Sequence, residues 1–253
     1  MLAMPVLGVI PQKVRPLLEE GSDAAHAEAY RVLRTNMHFS SRTTGGKTFC
    51  VTSGGAGEGK SLTLFNLAYV SALLGDKVLV VDSDFRRPSQ HRMFGIPNDK
   101  GLVSVLMGDE RIEDMIRVTK VPNLHFMPSG RIRSVALSLL DSHRMLDLVK
   151  SLKLRYDYVF FDTPPIVGVS DASVLASEVD GVLLIIQHRK YPRVVSTRAK
   201  TLIENVGGNL IGVVLNNINI GRDYYSYYYH TSYGQGYEIQ NEPEGEVVIS
   251  SGA

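Results

Sequence analysis

One cysteine, Cys50, is present in 253 residues. A lone thiol excludes an internal disulfide framework and a multi-thiolate metal site, and it fits a reducing compartment such as the cytoplasm. An excess of either charge is also missing. The 27 basic and 26 acidic residues leave a net +1, so no overall field attracts a polyanion and nucleic acid is not an expected partner. Any anion site must be local. Long apolar runs are absent, the longest being Val182 to Ile186, against the roughly 18 residues that a bilayer span needs. No basic segment followed by a long apolar run opens the chain, so no export signal is expected. The seven histidines show no metal-ligand spacing, and no internal repeat is visible. The remainder is ordinary globular composition, 44% hydrophobic and 21% charged. A chain of this length can bury about three quarters of its unfolded surface as one α/β domain.

Residues 1–22 carry Pro5, Pro11 and Pro16 in a mostly extended stretch, which reads as a strap or linker. From Ala24 to Phe39, Tyr30, Leu33 and Met37 fall at i, i+3 and i+7 among good helix formers, predicting an amphipathic helix. Short apolar runs then alternate with helix-length stretches. Thr48 to Thr52, Val78 to Asp82, Asn123 to Met127, Tyr158 to Asp162, Val182 to Ile186 and Leu210 to Leu215 read as strands buried on both faces. The clearest crossover helix is Lys60 to Leu74, with Gly75 at the C′ position. The expected fold is a mainly parallel α/β sheet covered by helices on both faces. Its expected span is 23–220. Seven of the twelve tyrosines crowd into 221–237: Tyr224, Tyr225, Tyr227, Tyr228, Tyr229, Tyr233 and Tyr237. Almost nothing there is aliphatic, so 221–253 reads as a flexible tyrosine-rich tail.

Gly54-Gly55-Ala56-Gly57-Glu58-Gly59-Lys60-Ser61 satisfies the P-loop pattern between a predicted strand and a predicted helix. Its glycines let the backbone wrap a phosphate chain, with successive N–H groups and the helix N-terminus facing negative oxygens. Lys60 then reaches the β and γ phosphates, and the Ser61 hydroxyl is placed to hold Mg²⁺. Asp82 and Asp84 end one apolar strand, with a period of two that aims them the same way, and Asp162 ends another. Ligands of open α/β sheets gather at strand carboxyl ends, so all three carboxylates are expected at the P-loop. Three acids beside a triphosphate call for a cation, which makes Mg²⁺ part of the expectation. Arg86 either supports phosphates or pins the loop. Glu28, Arg31 and Arg34, three apart, form an arc on a helix that spacing alone reads as a solvated charged face.

The segments Ser53 to Ser61, Val78 to Pro88 and Val159 to Pro165 resemble the Walker A, A′ and B motifs of bacterial protein tyrosine kinases of capsule and exopolysaccharide chain-length control. The resemblance runs from about Pro5 to Tyr237 and includes Gly8 to Pro11, Glu28 to Arg34, Val169 to Ala172 and the tyrosine cluster. It departs at Ala56, where many members have proline, and at Ser134 to Leu140, a loose match to an Asn-Pro-x-Glu-Leu-Leu segment. The resemblance implies a P-loop NTPase fold and autophosphorylation with MgATP. Its nucleotide-binding stretch is Gly55, Ala56, Gly57, Glu58, Gly59, Lys60, Ser61 and Leu62. Lys60, Asp82, Asp84 and Asp162 are its catalytic set, and Ser61, Asp84 and Asp162 are its metal ligands. It makes the seven tail tyrosines phosphoacceptors and turns Glu28, Arg31 and Arg34 into a subunit contact in a ring, expected to be an octamer. Further implied partners are a transmembrane chain-length regulator, fused or separate, and a tyrosine phosphatase. The implied place is the cytoplasmic face of the cell membrane, as a free chain or a piece of a longer inner-membrane protein.

A carboxylate near pKa 4 is a poor base for a phenol near pKa 10, so Asp82 is expected to orient the acceptor first and take its proton second. Partitioning and septum-positioning ATPases carry an extra lysine five positions before the common one, where this chain has Gly55. A non-kinase ATPase of that type, switching assembly at a membrane protein, is the alternative. A nucleotide-gated scaffold is a third reading.

Overall fold

A computed structural model describes residues 4–20, 26–42, 45–131 and 139–219. Its element order is β1 (Val6–Pro11), α1 (Leu17–Glu20), α2 (Ala27–Arg42), β2 (Thr48–Ser53), α3 (Lys60–Leu73), β3 (Val78–Asp82) and α4 (Gln90–Phe94). There follow α5 (Leu102–Met107), α6 (Ile112–Met115), β4 (Arg117–Val118), β5 (Leu124–Met127), α7 (His143–Lys153), β6 (Tyr158–Asp162), α8 (Asp171–Glu178), β7 (Gly181–Gln187), α9 (Arg193–Asn205) and β8 (Leu210–Ile218). The eight strands form one sheet in the order β1-β8-β7-β2-β6-β3-β5-β4. Every pairing is parallel except β4 with β5.

The apolar runs are strands because both of their faces are covered. Phe49 and Val51 of β2 pack on the side of α2 and α3, together with Val78 and Val80 of β3 and Phe160 of β6. Cys50, Leu79, Val81, Val159 and Phe161 point the other way, toward α7, α8 and α9. In α2, Tyr30, Leu33 and Met37 are all buried, as the predicted spacing requires. Its bounds lie three residues later than expected at either end, Ala27–Arg42 against Ala24 to Phe39.

Two features lie beyond the sequence expectations. Val6–Pro11, within the proposed strap, is an edge strand paired with β8. Proline is tolerated there because one side of an edge strand needs no ladder partner. Buried Asn66 of α3 fastens the next stretch, accepting from Leu17 N at 2.8 Å and donating to Arg15 O at 3.1 Å. The second feature is β4, the short antiparallel edge strand.

The helix after the P-loop ends as predicted. Gly75 takes φ 97°, its N–H donates to Ala72 O, and Asp76 N–H donates to Ser71 O, a Schellman closure. Cys50 is fully buried in β2, and burial pushes its thiol up to about 12.

Candidate functional site

Parallel pairing puts the carboxyl ends of β2, β3 and β6 at one edge, where ligands of open α/β sheets bind. β6 lies between β2 and β3. Asp82 and Asp162 are direct cross-strand neighbours, and the P-loop leaves β2 beside them.

Lys60 Nζ is 3.2 Å from Asp84 Oδ2, 3.8 Å from Asp162 Oδ1 and 3.4 Å from Ser61 Oγ. Its side chain is 13% exposed. Burial alone would lower the Lys60 pKa; the pull of Asp162 and Asp84 outweighs it and raises it. The ammonium therefore stays charged.

The three carboxylates do different work. Asp84 offers Oδ2 to Lys60, while its Oδ1 accepts from Arg86 N at 3.2 Å and Arg87 N at 2.9 Å. Asp82 Oδ2 accepts from Ser89 N at 3.0 Å and Gln90 N at 3.1 Å, and Oδ1 accepts from Asp84 N at 3.3 Å. Thus Asp82 ties down the loop between β3 and α4. β3 ends at Asp82, so the strand period does not extend to Asp84, and only Asp84 of the two hydrogen-bonds Lys60. Burial, then the charge of Asp162, raises the pKa of Asp82. Burial also raises that of Asp162, against the attraction of Lys60.

Asp162 Oδ2 accepts from Gln90 Nε2 at 2.9 Å, whereas the buried Oδ1 has no hydrogen-bond partner. A buried carboxylate oxygen without a hydrogen bond, with only the Lys60 ammonium 3.8 Å away, is costly, and a hard cation would supply a closer partner. With the Ser61 hydroxyl and Asp84 nearby, the donor set fits Mg²⁺. Among the described residues, no group of three or more His, Cys, Asp or Glu side chains could hold a metal ion.

Gln90 was missed by motif reading, and the partners of Glu58 and Arg86 come only from the structure. Gln90 joins α4 to both Asp162 and Ser61 O, the latter at 2.9 Å. Glu58 turns back on its own loop, its buried carboxylate accepting from Gly55 N at 2.7 Å and Gln187 N at 3.1 Å. Arg86 pairs with Asp171 at 3.0 and 3.2 Å, so the structure favours the pinning role. Gln90 and Asp171 lie 72 and 85 residues from their partners Asp162 and Arg86, and only tertiary folding joins such distant residues.

On α2, Glu28 and Arg31 form an exposed pair at 3.0 Å. Arg34 is instead held bidentately by Asp76, with contacts from 2.8 to 3.1 Å. The seven tail tyrosines lie outside the described residues, as do 134–138 of the Ser134 to Leu140 segment.

The family model for an AAA domain matches residues 46–207. Tyrosine-protein kinase YwqD of Bacillus subtilis is 36% identical over 209 residues, 83% of this chain and 85% of that protein. Tyrosine-protein kinase ptk of Acinetobacter johnsonii is 30% identical over 208 residues, 80% of this chain but 28% of that longer protein. Among solved structures, the kinase domain of Escherichia coli tyrosine kinase ETK superposes with a TM-score of 0.81 at 28% identity, covering 85% of this chain and 91% of that one.

Proposed function

Since the chain belongs to the bacterial tyrosine-protein kinases of P-loop fold, we propose that it transfers the γ-phosphoryl group of MgATP to the tyrosines of its own C-terminal tail, between neighbouring subunits. The observation that carries this is Lys60, held beside Ser61 between Asp84 and Asp162 at the mouth of the P-loop.

In this reading the tyrosine oxygen bonds to the γ-phosphorus as the bond to the β–γ bridging oxygen breaks. ADP leaves, and the phenolic proton is released. Lys60 neutralises charge on the transferred group, the main contribution that a loose transition state requires. Ser61, Asp84 and Asp162 would hold Mg²⁺, which when bound screens the phosphates from the carboxylates. Asp82 fixes the loop that carries Asp84. Proton acceptance is its second part in this proposal.

Assembly in a ring, expected to be an octamer, draws support from the exposed Glu28 and Arg31 on α2. Regulation of capsule or exopolysaccharide synthesis, a transmembrane chain-length regulator and an opposing phosphatase belong to the same proposal. No helix among the described residues is long and apolar enough to cross a membrane, so a membrane location would come through such a regulator or through a longer chain, as the length of ptk allows.

The test mixes two chains: one with Lys60→Met and an intact tail, the other active with all seven tail tyrosines changed to Phe. After incubation with MgATP, mass spectrometry should find phosphate on Tyr224 to Tyr237 of the Lys60→Met chain. A parent chain that phosphorylates its tail while this mixture does not would refute transfer between chains. Phosphate on the Lys60→Met chain alone, at the parent's level, would refute the active site.

A further inference from the structure

Four consecutive carbonyls of the P-loop are each held from outside by a side chain. Gly55 O accepts from Ser53 Oγ at 2.7 Å, Ala56 O from Tyr191 Oη at 3.0 Å, Gly57 O from Lys190 Nζ at 2.6 Å, and Glu58 O from Asn216 Nδ2 at 2.8 Å. Ser53 ends β2. Tyr191 and Lys190 sit in the turn between β7 and α9, and Asn216 is on β8. The last three reach the loop across 135, 133 and 158 residues of sequence.

In a trans peptide the C=O and the following N–H point in opposite directions, and the described chain has no cis bond. Holding these four carbonyls therefore turns the N–H groups of Ala56, Gly57, Glu58 and Gly59 away from the bracing side chains. None of the four N–H groups donates to a backbone acceptor in a turn or loop of the described residues. Gly55 N, one residue earlier, is taken by the Glu58 carboxylate. The turn after β7 is itself constrained, with Arg189 at φ 57°, a left-handed conformation that a non-glycine residue keeps only where its surroundings impose it.

Close approach explains two of the motif's glycines. A Cβ on Gly55 would lie 2.4 Å from the Tyr191 ring, and one on Gly59 would lie 2.1 Å from Asn216 Nδ2. In this conformation the Tyr191 ring fills the space that a side chain would need at the position of the extra lysine of the septum-positioning ATPases.

We propose that Tyr191, Lys190 and Asn216 are positioning residues that orient the P-loop amides toward a phosphate chain before it arrives. The proposal rests on the nucleotide-binding reading above and adds a cause for the loop's competence. Pre-set donors bind phosphate without first reorganising, so loss of a brace lowers phosphate affinity even though no brace touches the ligand.

The experiment titrates the full chain, with Mg²⁺ present, with ADP and with pyrophosphate, which has phosphates and no base. Tyr191→Phe removes one donor and no charge, and Lys190→Met removes a second donor with its charge at an exposed position. Each change should weaken both ligands by about threefold to tenfold, the range of one net hydrogen bond. Tyr191→Phe separates bracing from the field of the lysine. Thermal unfolding is followed alongside, and Asn216→Leu gives an independent reading from β8 should another variant lose its fold. A loss shared equally by ADP and pyrophosphate, with unfolding unchanged, supports bracing. Equal affinities in parent and variants, or a loss for ADP that pyrophosphate does not share, overturn it while nucleotide binding stands. A parent that binds neither ligand overturns both readings.

Discussion

Replacing Lys60 by methionine should do more than abolish phosphoryl transfer, because it leaves Asp84 and Asp162 facing each other without their cation. Lys60 Nζ is 3.2 and 3.8 Å from the two carboxylates, and its side chain is 13% exposed against 4% and 0% for theirs. At an effective dielectric constant of about 20, each contact is worth roughly 4–5 kcal/mol before desolvation. Removing one partner of a buried pair typically costs about 3–5 kcal/mol. Proton uptake caps that cost. Bringing a carboxyl of ordinary pKa to its neutral form at pH 7 takes about 4 kcal/mol, and less for a group whose pKa is already raised, as burial does for Asp162. The sign follows directly. Without Lys60 the folded pKa of Asp162 moves further above its unfolded value, so stability is retained at low pH and lost as pH rises through the folded pKa. The destabilisation by Lys60→Met should therefore be about 3 kcal/mol at pH 8 and about 1 kcal/mol or less at pH 5, growing by at most about 1.4 kcal/mol per pH unit for one proton. Urea unfolding of parent and variant at both pH values, without nucleotide or metal, measures it. A difference in stability that is the same at pH 5 and pH 8 would refute the ion-pair argument.

Gln90→Leu removes the amide that links Asp162 to Ser61 O and should lower the rate of phosphotyrosine formation by about tenfold, as misplacement of a positioned group does; an unchanged rate would remove Gln90 from the site. Reversing Glu28 and Arg31 together should shift a concentrated sample toward monomer in light scattering without changing ADP affinity, and an unaltered mass, given a parent that assembles, would return both residues to the role of a solvated pair. Arg34 is left intact in that variant because its reversal would also break the contact with Asp76.

The strands with both faces buried were legible because their sequences are short, apolar and punctuated, and the P-loop because its glycines and Lys60-Ser61 are adjacent in sequence. β1 was read only as extended. Its partner β8 lies some two hundred residues away, as Val6 opposite Val213 shows, and the prolines that suggest a linker are also those an edge strand tolerates. Long separations in sequence also hid Gln90, the pairing of Asp171 with Arg86, and the bracing residues. Asp82 and Asp84 were expected to aim the same way, and they do not, since only Asp84 hydrogen-bonds Lys60 while Asp82 turns to the loop amides. The difference depends on where β3 stops, and a shift of one residue decides whether a carboxylate faces the pocket or the loop.

The buried thiol of β2 has a practical use. Cys50 sits within the strand that leads into the P-loop, with no exposed surface and a pKa pushed up to about 12. Almost none of it is thiolate at neutral pH, and only the thiolate reacts with alkylating reagents. Cysteines introduced at exposed positions can therefore carry spin or fluorescent labels in the otherwise unaltered chain, with the native sulfur staying silent until the sheet opens. Delayed alkylation of Cys50 then becomes a built-in reporter of unfolding beside the active centre.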